Sequence, residues 1–170
     1  DLRQFRRGRR FVRDVFIYDA IRSARTRAKA NGGLNALSPP ELLQPLYWAL
    51  AERNQLDPAT VSEVVLGCVT QYGEQAGNIA KTSALFAGWP ESVSGLTVHR
   101  FCSSSIDAIS LAGLKVATGQ TKAIVAGGIE MMSRVPMLSD AARVFSDPAY
   151  AVQHQMLLMG SGADLIATRI

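Results

Sequence analysis

Cys102 is the residue in this sequence with the clearest capacity for covalent chemistry. It lies between an apolar stretch that is typical of a short strand, Leu96 to His99, and a helix that we expect to run to about Thr118. The first N–H groups of a helix have no intrahelical acceptor, and the local field there is positive. A cysteine beside them is favoured as the thiolate, the form that attacks carbonyl carbons. The sequence therefore predicts that Cys102 is a nucleophile.

The helix after Cys102 is apolar around almost its whole circumference. Its apolar residues are Ile106, Ala108, Ile109, Leu111, Ala112, Leu114, Val116 and Ala117. A helix of this kind is buried, so we expect either the rest of the polypeptide or a second chain to cover it. The small residues Ser103 to Ser105 at its start allow neighbouring backbones to approach closely.

A second strand, Lys122 to Ala126, ends in a glycine pair and an acidic residue, Gly127-Gly128-Ile129-Glu130. Glu130 follows a strand end, where α/β sheets place functional groups, and a structural salt bridge is an equal alternative. The glycine pair is a weak phosphate signal because no phosphate-loop spacing surrounds it.

These two segments resemble motifs of the thiolase family. Val98 to Ala108 resembles the nucleophile motif, and Gly127 to Met137 resembles the Gly-Gly-x-Glu-x-Met-Ser segment that follows it. In thiolases the matching cysteine takes an acyl group from a 3-ketoacyl-CoA and passes it to coenzyme A, or runs the reverse condensation. His99 stands where asparagine is usual and Ser105 where glycine is common, and both differences leave the nucleophile in place.

The resemblance implies a degradative 3-ketoacyl-CoA thiolase, with acyl-CoA and coenzyme A as substrates and no bound cofactor. It implies a homodimer or homotetramer, with Gly77 to Ala80 as part of the dimer contact. A methionine in this family can line the acyl pocket, and Met159 is the better candidate for that role than Met156. The activating histidine and second cysteine of the family belong to its second half, so we expect the 170 residues alone to turn over little.

The order of elements along the chain predicts an α/β fold, a mostly parallel mixed sheet with helices on both faces. Strands are predicted at Asp14 to Asp19 and Val61 to Val69. Helices are predicted after the capping box Ser38-Pro39-Pro40-Glu41, with a kink or late start at Pro45, and at Ala76 to Ala87. Asp57-Pro58 is predicted to cap a short turn. This pattern matches the thiolase-like half that the resemblance implies.

Three parts are expected along the chain: a basic tail at 1–13, the α/β domain at 14–130, and the beginning of a substrate-covering loop domain at 131–170. Residues Met137 to Met159 are predicted as a loop, and Gly160 to Thr168 as the opening of a helix.

The remaining candidates have simpler explanations. Cys68 lies in an apolar run and is predicted as a core residue. His99 is a weak candidate for the base, because residues at odd offsets along a strand point to opposite faces, and is otherwise a buried or interfacial histidine. His154 is predicted at the surface, with a substrate contact as the alternative.

Composition excludes several classes of protein. The chain has 170 residues, 48% of them apolar, which suffices for a compact domain, and no apolar run is long enough to span a membrane. No Cys, His, Asp or Glu cluster has metal-ligand spacing.

The net charge of +4 is concentrated in Arg3, Arg6, Arg7, Arg9, Arg10 and Arg13. A solvated tail explains these arginines better than a nucleic-acid arm or the remnant of an organelle presequence.

The chain is therefore expected in the cytoplasm, with the mitochondrial matrix or peroxisome as the alternative if the arginines belong to a presequence. Two other functions stay open at this stage. One is a related condensing enzyme of the ketoacyl synthase type, and the other is a non-catalytic scaffold or dimerisation subunit.

Overall fold

The computed structural model describes residues 12–169. The described chain divides into two compact units after Pro136. The first unit is a parallel sheet flanked by helices, and the second contains three short helices. Most of the predicted basic tail, residues 1–13, lies outside the described residues.

Three strands form the sheet: β1 (Glu63–Gly67), β2 (Ser94–Val98) and β3 (Ile124–Gly128). Their order is β2-β1-β3, and both pairings are parallel. Gly67 is opposite Val98 on one side and Gly128 on the other, so the carboxyl ends of all three strands lie at one edge. The predicted strand from Val61 to Val69 is shorter in the structure.

Helices cover both faces of this sheet, as the sequence predicts. They are α1 (Pro39–Asn54), α2 (Ile79–Phe86) and α3 (Ser104–Ala117). Val64 and Leu66 of β1 belong to the main core cluster, together with residues of α1 and α2. Val65 is equally buried but points to the opposite face, because side chains alternate along a strand, and α3 packs on that face.

The capping box at Ser38 and Glu41 is confirmed. The Ser38 N–H and hydroxyl donate to the same Glu41 carboxylate oxygen at 2.6 and 2.7 Å. The helix begins at Pro39, so the expectation of a late start is wrong, and Pro45 is accommodated inside α1. Asp57 also caps its turn as predicted, by accepting the Ala59 N–H at 2.9 Å. The helix predicted from Ala76 begins later, at Ile79, after a 3-10 turn at Gly73–Gln75.

The predicted first strand, Asp14 to Asp19, is wrong for this structure. Both ends of the segment are held, since the Arg13 N–H donates to the Ala117 carbonyl and the Asp19 carboxylate accepts from Asn54 at 2.9 Å. Between these contacts the side chains of Phe16, Ile17 and Tyr18 are exposed. A strand needs a neighbouring strand for its N–H and C=O groups, and none of the described residues pairs with this segment.

Helix α3 is half buried rather than buried on all sides. Its small residues Ala108 and Ala112 face the sheet, whereas Ile106, Ile109 and Leu114 are exposed. The prediction rested on the apolar circumference alone, and the described residues provide cover for only one face.

The second unit corrects the prediction of a loop from Met137 to Met159. It contains α4 (Arg143–Ser146), α5 (Pro148–Gln153) and α6 (Met159–Ala167). Asp147 caps α5 by accepting the N–H groups of Ala149 and Tyr150. The helix predicted near Gly160 is confirmed as α6.

Candidate active site

Cys102 lies in the tight turn that links β2 to α3, two residues before Ser104 begins the helix. Ser104 closes this turn, since its hydroxyl donates to the Phe101 carbonyl at 2.6 Å and accepts the Arg100 N–H at 2.9 Å. Phe101 has a φ of 46°, a conformation that is costly for a residue with a Cβ and that the surrounding hydrogen bonds maintain. The side chain of Cys102 is exposed.

Two glycines form the surface on which the start of α3 rests. A Cβ at Gly67 would overlap the backbone of Ser104 and Ser105 and lie 2.8 Å from the Ser104 Cβ. A Cβ at Gly128 would overlap the Ser105 hydroxyl and lie 2.9 Å from the Gly67 carbonyl oxygen. In the sequence, Gly128 is recognisable only as part of a weak phosphate signal. In the structure both glycines let the helix approach the ends of β1 and β3, and so fix the height of the Cys102 turn above the sheet.

Several backbone N–H groups of the turn have no backbone acceptor in the part of the chain that the structure describes. Within residues 12–169, the N–H groups of Cys102, Ser105 and Ile106 donate no backbone hydrogen bond, whereas those of Ser103 and Ser104 donate back into the turn at 3.0 Å. Free N–H groups at a helix start attract anions. The turn therefore presents an accessible sulfur beside backbone N–H groups that can stabilise a negative charge.

Arg100 and Asp107 tie the turn to the first turn of α3. The Arg100 Nε lies 2.6 Å from an Asp107 carboxylate oxygen, and the arginine side chain is largely exposed. An exposed ion pair of this kind contributes little stability. A carboxylate in the first turn of a helix is also favourable to the helix dipole.

His99 is not positioned as a base for Cys102 in this chain. Its imidazole packs edge-on against Phe101, with ring centroids 4.8 Å apart, and the residue is exposed. No hydrogen bond joins His99 to Cys102 in the described structure. Because the ring lies at the surface of the described chain, the buried alternative is wrong, and the interfacial alternative stays a prediction.

Glu130 is held by amide groups rather than by a cation. Its carboxylate accepts the Val69 N–H at 2.8 Å, the Thr70 N–H at 3.4 Å and the side-chain amide of Gln75 at 2.9 Å. The sequence predicts a functional residue or a salt bridge at Glu130 and gives no sign of its partner Gln75, which is completely buried. No local pattern could have identified the contact between Gln75 and Glu130, because these residues are 55 positions apart.

Cys68 is a core residue, as predicted. It is buried after the end of β1, and burial, reinforced by the negative charge of Glu130, raises the pKa of its thiol to about 12. At neutral pH this thiol is protonated and shielded from reagents, so its reactivity is the opposite of the one that the sequence predicts for Cys102.

The remaining candidate residues lie in the second unit. His154 is exposed at the end of α5, as predicted, with its ring 4.4 Å from that of Tyr150. Met156 is partly buried, and Met159, the first residue of α6, is exposed. Within the described residues, the side chains of His154, Met156 and Met159 do not form a polar site.

Residues 12–169 contain neither a cluster of metal ligands nor a helix suited to a membrane. No group of three or more His, Cys, Asp or Glu side chains is placed to hold a metal ion. None of the helices in this range combines the length and the apolar character needed to cross a membrane.

Comparison with known proteins identifies relatives for most of the chain. The family model described as thiolase, N-terminal domain, matches residues 15–166. A steroid 3-ketoacyl-CoA thiolase from Mycobacterium tuberculosis is 42% identical over 126 residues, which cover 74% of this chain and 30% of that protein. A beta-ketoadipyl-CoA thiolase from Pseudomonas knackmussii is 40% identical over 131 residues, which cover 76% of this chain and 32% of that protein.

A solved structure is also similar. The crystal structure of the Bacillus anthracis acetyl-CoA acetyltransferase matches with a TM-score of 0.58 and 40% identity, over 62% of this chain and 26% of that one. The chain spans about a third of the length of the curated relatives, given the 30% and 32% coverage of the two proteins above.

Proposed function

This chain belongs to the thiolase family, and on that premise we propose that it supplies the nucleophile of an acyl-CoA acyltransferase, with Cys102 as the residue that carries the acyl group. The observation that supports this most directly is the exposed Cys102 side chain at the start of α3, beside N–H groups with no backbone acceptor among the described residues. Thiolate chemistry requires this combination of access and positive field.

The proposed reaction has two steps. The Cys102 thiolate attacks the 3-keto carbonyl of a 3-ketoacyl-CoA, the bond between C2 and C3 breaks, and acetyl-CoA leaves after its enolate takes a proton. The thiol of coenzyme A then attacks the thioester on Cys102, which releases a shortened acyl-CoA and restores the thiolate. The Cys102 N–H, which has no backbone acceptor among residues 12–169, provides one donor for the oxyanion in each step.

The groups that move protons are proposed to belong to the part of the family's length that these 170 residues do not match. The family resemblance implies a histidine and a second cysteine for this purpose, and His99 makes no hydrogen bond to Cys102 within the described residues. A general base contributes on the order of 10² to 10⁴ in rate. We therefore expect the 170-residue chain alone to turn over little, although its cysteine can still be acylated by a reactive thioester.

Met159 is proposed to contribute to the acyl pocket. Its exposed thioether at the start of α6 is free to pack against a ligand, and methionine adapts readily to apolar groups of different shape. The second unit would then begin the segment that covers the substrate.

The test of the proposed function uses the full-length parent. Wild type, Cys102→Ala and Cys68→Ala are incubated with acetoacetyl-CoA, and the acyl-enzyme is trapped by acid and located by peptide mass spectrometry. We expect an acetyl group on Cys102 in the wild type and in Cys68→Ala, and none in Cys102→Ala. Acylation of the Cys102→Ala protein at another residue would refute the assignment.

Replacing the CoA substrate with an acyl carrier protein thioester distinguishes a thiolase from a ketoacyl synthase.

A scaffold or dimerisation role is the second candidate, and the exposed apolar face of α3 favours it. Ile106 and Leu114 are 65% and 63% exposed, which leaves an apolar surface for another chain or another part of the same polypeptide. Sedimentation of the 170-residue chain, measured together with its thioester turnover, separates the two roles. Association without turnover supports the scaffold only if the full-length parent is also inactive.

A further inference from the structure

The partly buried hydrogen-bond network between Gln75 and Glu130 lies next to the glycines that support the Cys102 turn. It joins the segment that follows β1 to the segment that follows β3. The Gln75 amide donates to the Thr70 carbonyl at 2.8 Å and to the Glu130 carboxylate at 2.9 Å, and its oxygen accepts the Met131 N–H at 2.6 Å. The second Glu130 oxygen accepts the Val69 N–H at 2.8 Å.

The orientation of each group in this network is determined by its partners. If the Gln75 amide were reversed, its oxygen would face the Thr70 carbonyl and the Glu130 carboxylate, and its NH₂ would face the Met131 N–H. All three contacts would be repulsive. Each Glu130 oxygen likewise faces an N–H donor, the Gln75 amide for one oxygen and the Val69 N–H for the other. Since Gln75 is completely buried, water cannot replace a lost partner.

The network sets the spacing of the two strand ends on which α3 rests. Gly67 and Gly128 are opposite each other in the β1–β3 register, and the Ile129 N–H donates to the Gly67 carbonyl at 3.0 Å. Glu130 and Gln75 continue this connection in the residues immediately beyond. Because Gly67 and Gly128 both contact the backbone or side chain of Ser105, a change in their separation moves the start of α3 and the Cys102 turn.

We propose that Gln75 and Glu130 are positioning residues for Cys102: they hold the ends of β1 and β3 at the separation that places the thiol in its reactive geometry. They touch neither the thiol nor a substrate in the proposed reaction. Their effect is transmitted by the Gly67 and Gly128 contacts, so it is expected in the rate of the chemical step rather than in substrate binding.

Glu63→Gln is a matched control for Glu130→Gln. It makes the same chemical change and also disrupts a contact of β1, since Glu63 forms an ion pair with Lys115 of α3. Glu63 lies at the opposite end of the strand from Gly67, about 13 Å away at roughly 3.3 Å per residue. Both substitutions are expected to lower the melting temperature, but only Glu130→Gln disturbs the edge that carries Cys102.

The experiment measures kcat, KM and melting temperature in the full-length parent, together with the rate at which iodoacetamide alkylates Cys102. We expect Glu130→Gln to lower kcat about 10- to 100-fold per folded molecule, the scale of a displacement of about 1 Å, with little change in KM and a slower alkylation of Cys102. Glu63→Gln is expected to leave kcat and the alkylation rate as in wild type. If Glu130→Gln does not fold, Gln75→Met, which removes the three amide contacts at similar volume, is measured with the same expectation.

Equal kcat and equal alkylation rates in Glu130→Gln and Glu63→Gln would overturn the inference, because the network would then serve stability alone. The kinetic part of the test rests on the proposed function, whereas alkylation does not require acyl transfer. A parent without thiolase activity would therefore refute the proposed function, and the alkylation rates would still decide the role of Gln75 and Glu130.

Discussion

Gly67 lies directly beneath Ser104, so close that a Cβ on the glycine would be 2.8 Å from the Ser104 Cβ. This contact joins the end of β1 to the beginning of α3, and it fixes the turn that carries Cys102. The turn with Cys102 can take this position only because Gly67, in the sheet beneath it, has no side chain. The requirement for glycine can be tested without any assumption about the reaction.

Gly67→Ala is expected to destabilise the protein by about 1–3 kcal/mol, because the added methyl group overlaps backbone atoms that cannot move independently of α3. Gly113→Ala is the control. Gly113 lies inside α3, and a Cβ at this position would have no atom within 4 Å. That substitution is expected to stabilise the protein by about 0.5–1 kcal/mol through helix propensity. Urea denaturation measures both changes, and an equal effect of the two substitutions would show that α3 does not depend on this close contact.

The two cysteines are expected to react at very different rates. Cys102 is exposed, whereas Cys68 is buried and the pKa of its thiol is raised to about 12, first by burial and then by the charge of Glu130. At pH 7.5 the folded protein is therefore alkylated by iodoacetamide at Cys102 and not at Cys68. Peptide mapping identifies the labelled site, and unfolding in urea provides the control in which both cysteines react. Rapid labelling of Cys68 in the folded protein would contradict this structure of the core.

Stability is expected to fall as the pH rises above about 9. Burial raises the pKa of Tyr47 to about 12, opposed by its hydrogen bond with Ser83, and the pKa of Cys68 is also raised to about 12. The unfolded chain loses these protons near pH 9 to 10, so between there and pH 12 it binds fewer protons than the folded chain. Stability then falls with pH, by at most about 1.4 kcal/mol per pH unit for each group.

Urea midpoints measured at pH 8, 9, 10 and 11 test this dependence. Cys68→Ala removes the contribution that begins near pH 9, and Tyr47→Phe removes the one that begins near pH 10. If the two variants have the same pH dependence as wild type, these buried groups are not responsible for it.

Local signals explain which parts of this structure could be predicted from the sequence. The position of Cys102, the cap at Ser38 and the helix that became α3 depend on residues a few positions apart. The strand predicted at Asp14 to Asp19 failed because pairing depends on a distant neighbour, which the described residues do not supply. The Gln75–Glu130 network was missed for a similar reason, since a contact across 55 residues has no signature in either segment. The apolar residues of α3 were recognised, but which of its faces the chain covers depends on packing.

The exposed face of α3 carries apolar side chains that the described residues leave uncovered. Ile106 and Leu114 are expected to make the 170-residue chain self-associate, because apolar side chains exposed together on one helix gain by burial. The double substitution Ile106→Lys and Leu114→Lys should make the chain monomeric in sedimentation experiments, whereas Val152→Lys, at an exposed residue of α5, should not. In the full-length parent the same double substitution should lower the melting temperature if the rest of the polypeptide covers this face. If it is neutral there, α3 remains exposed in the complete protein, and only another chain could cover it.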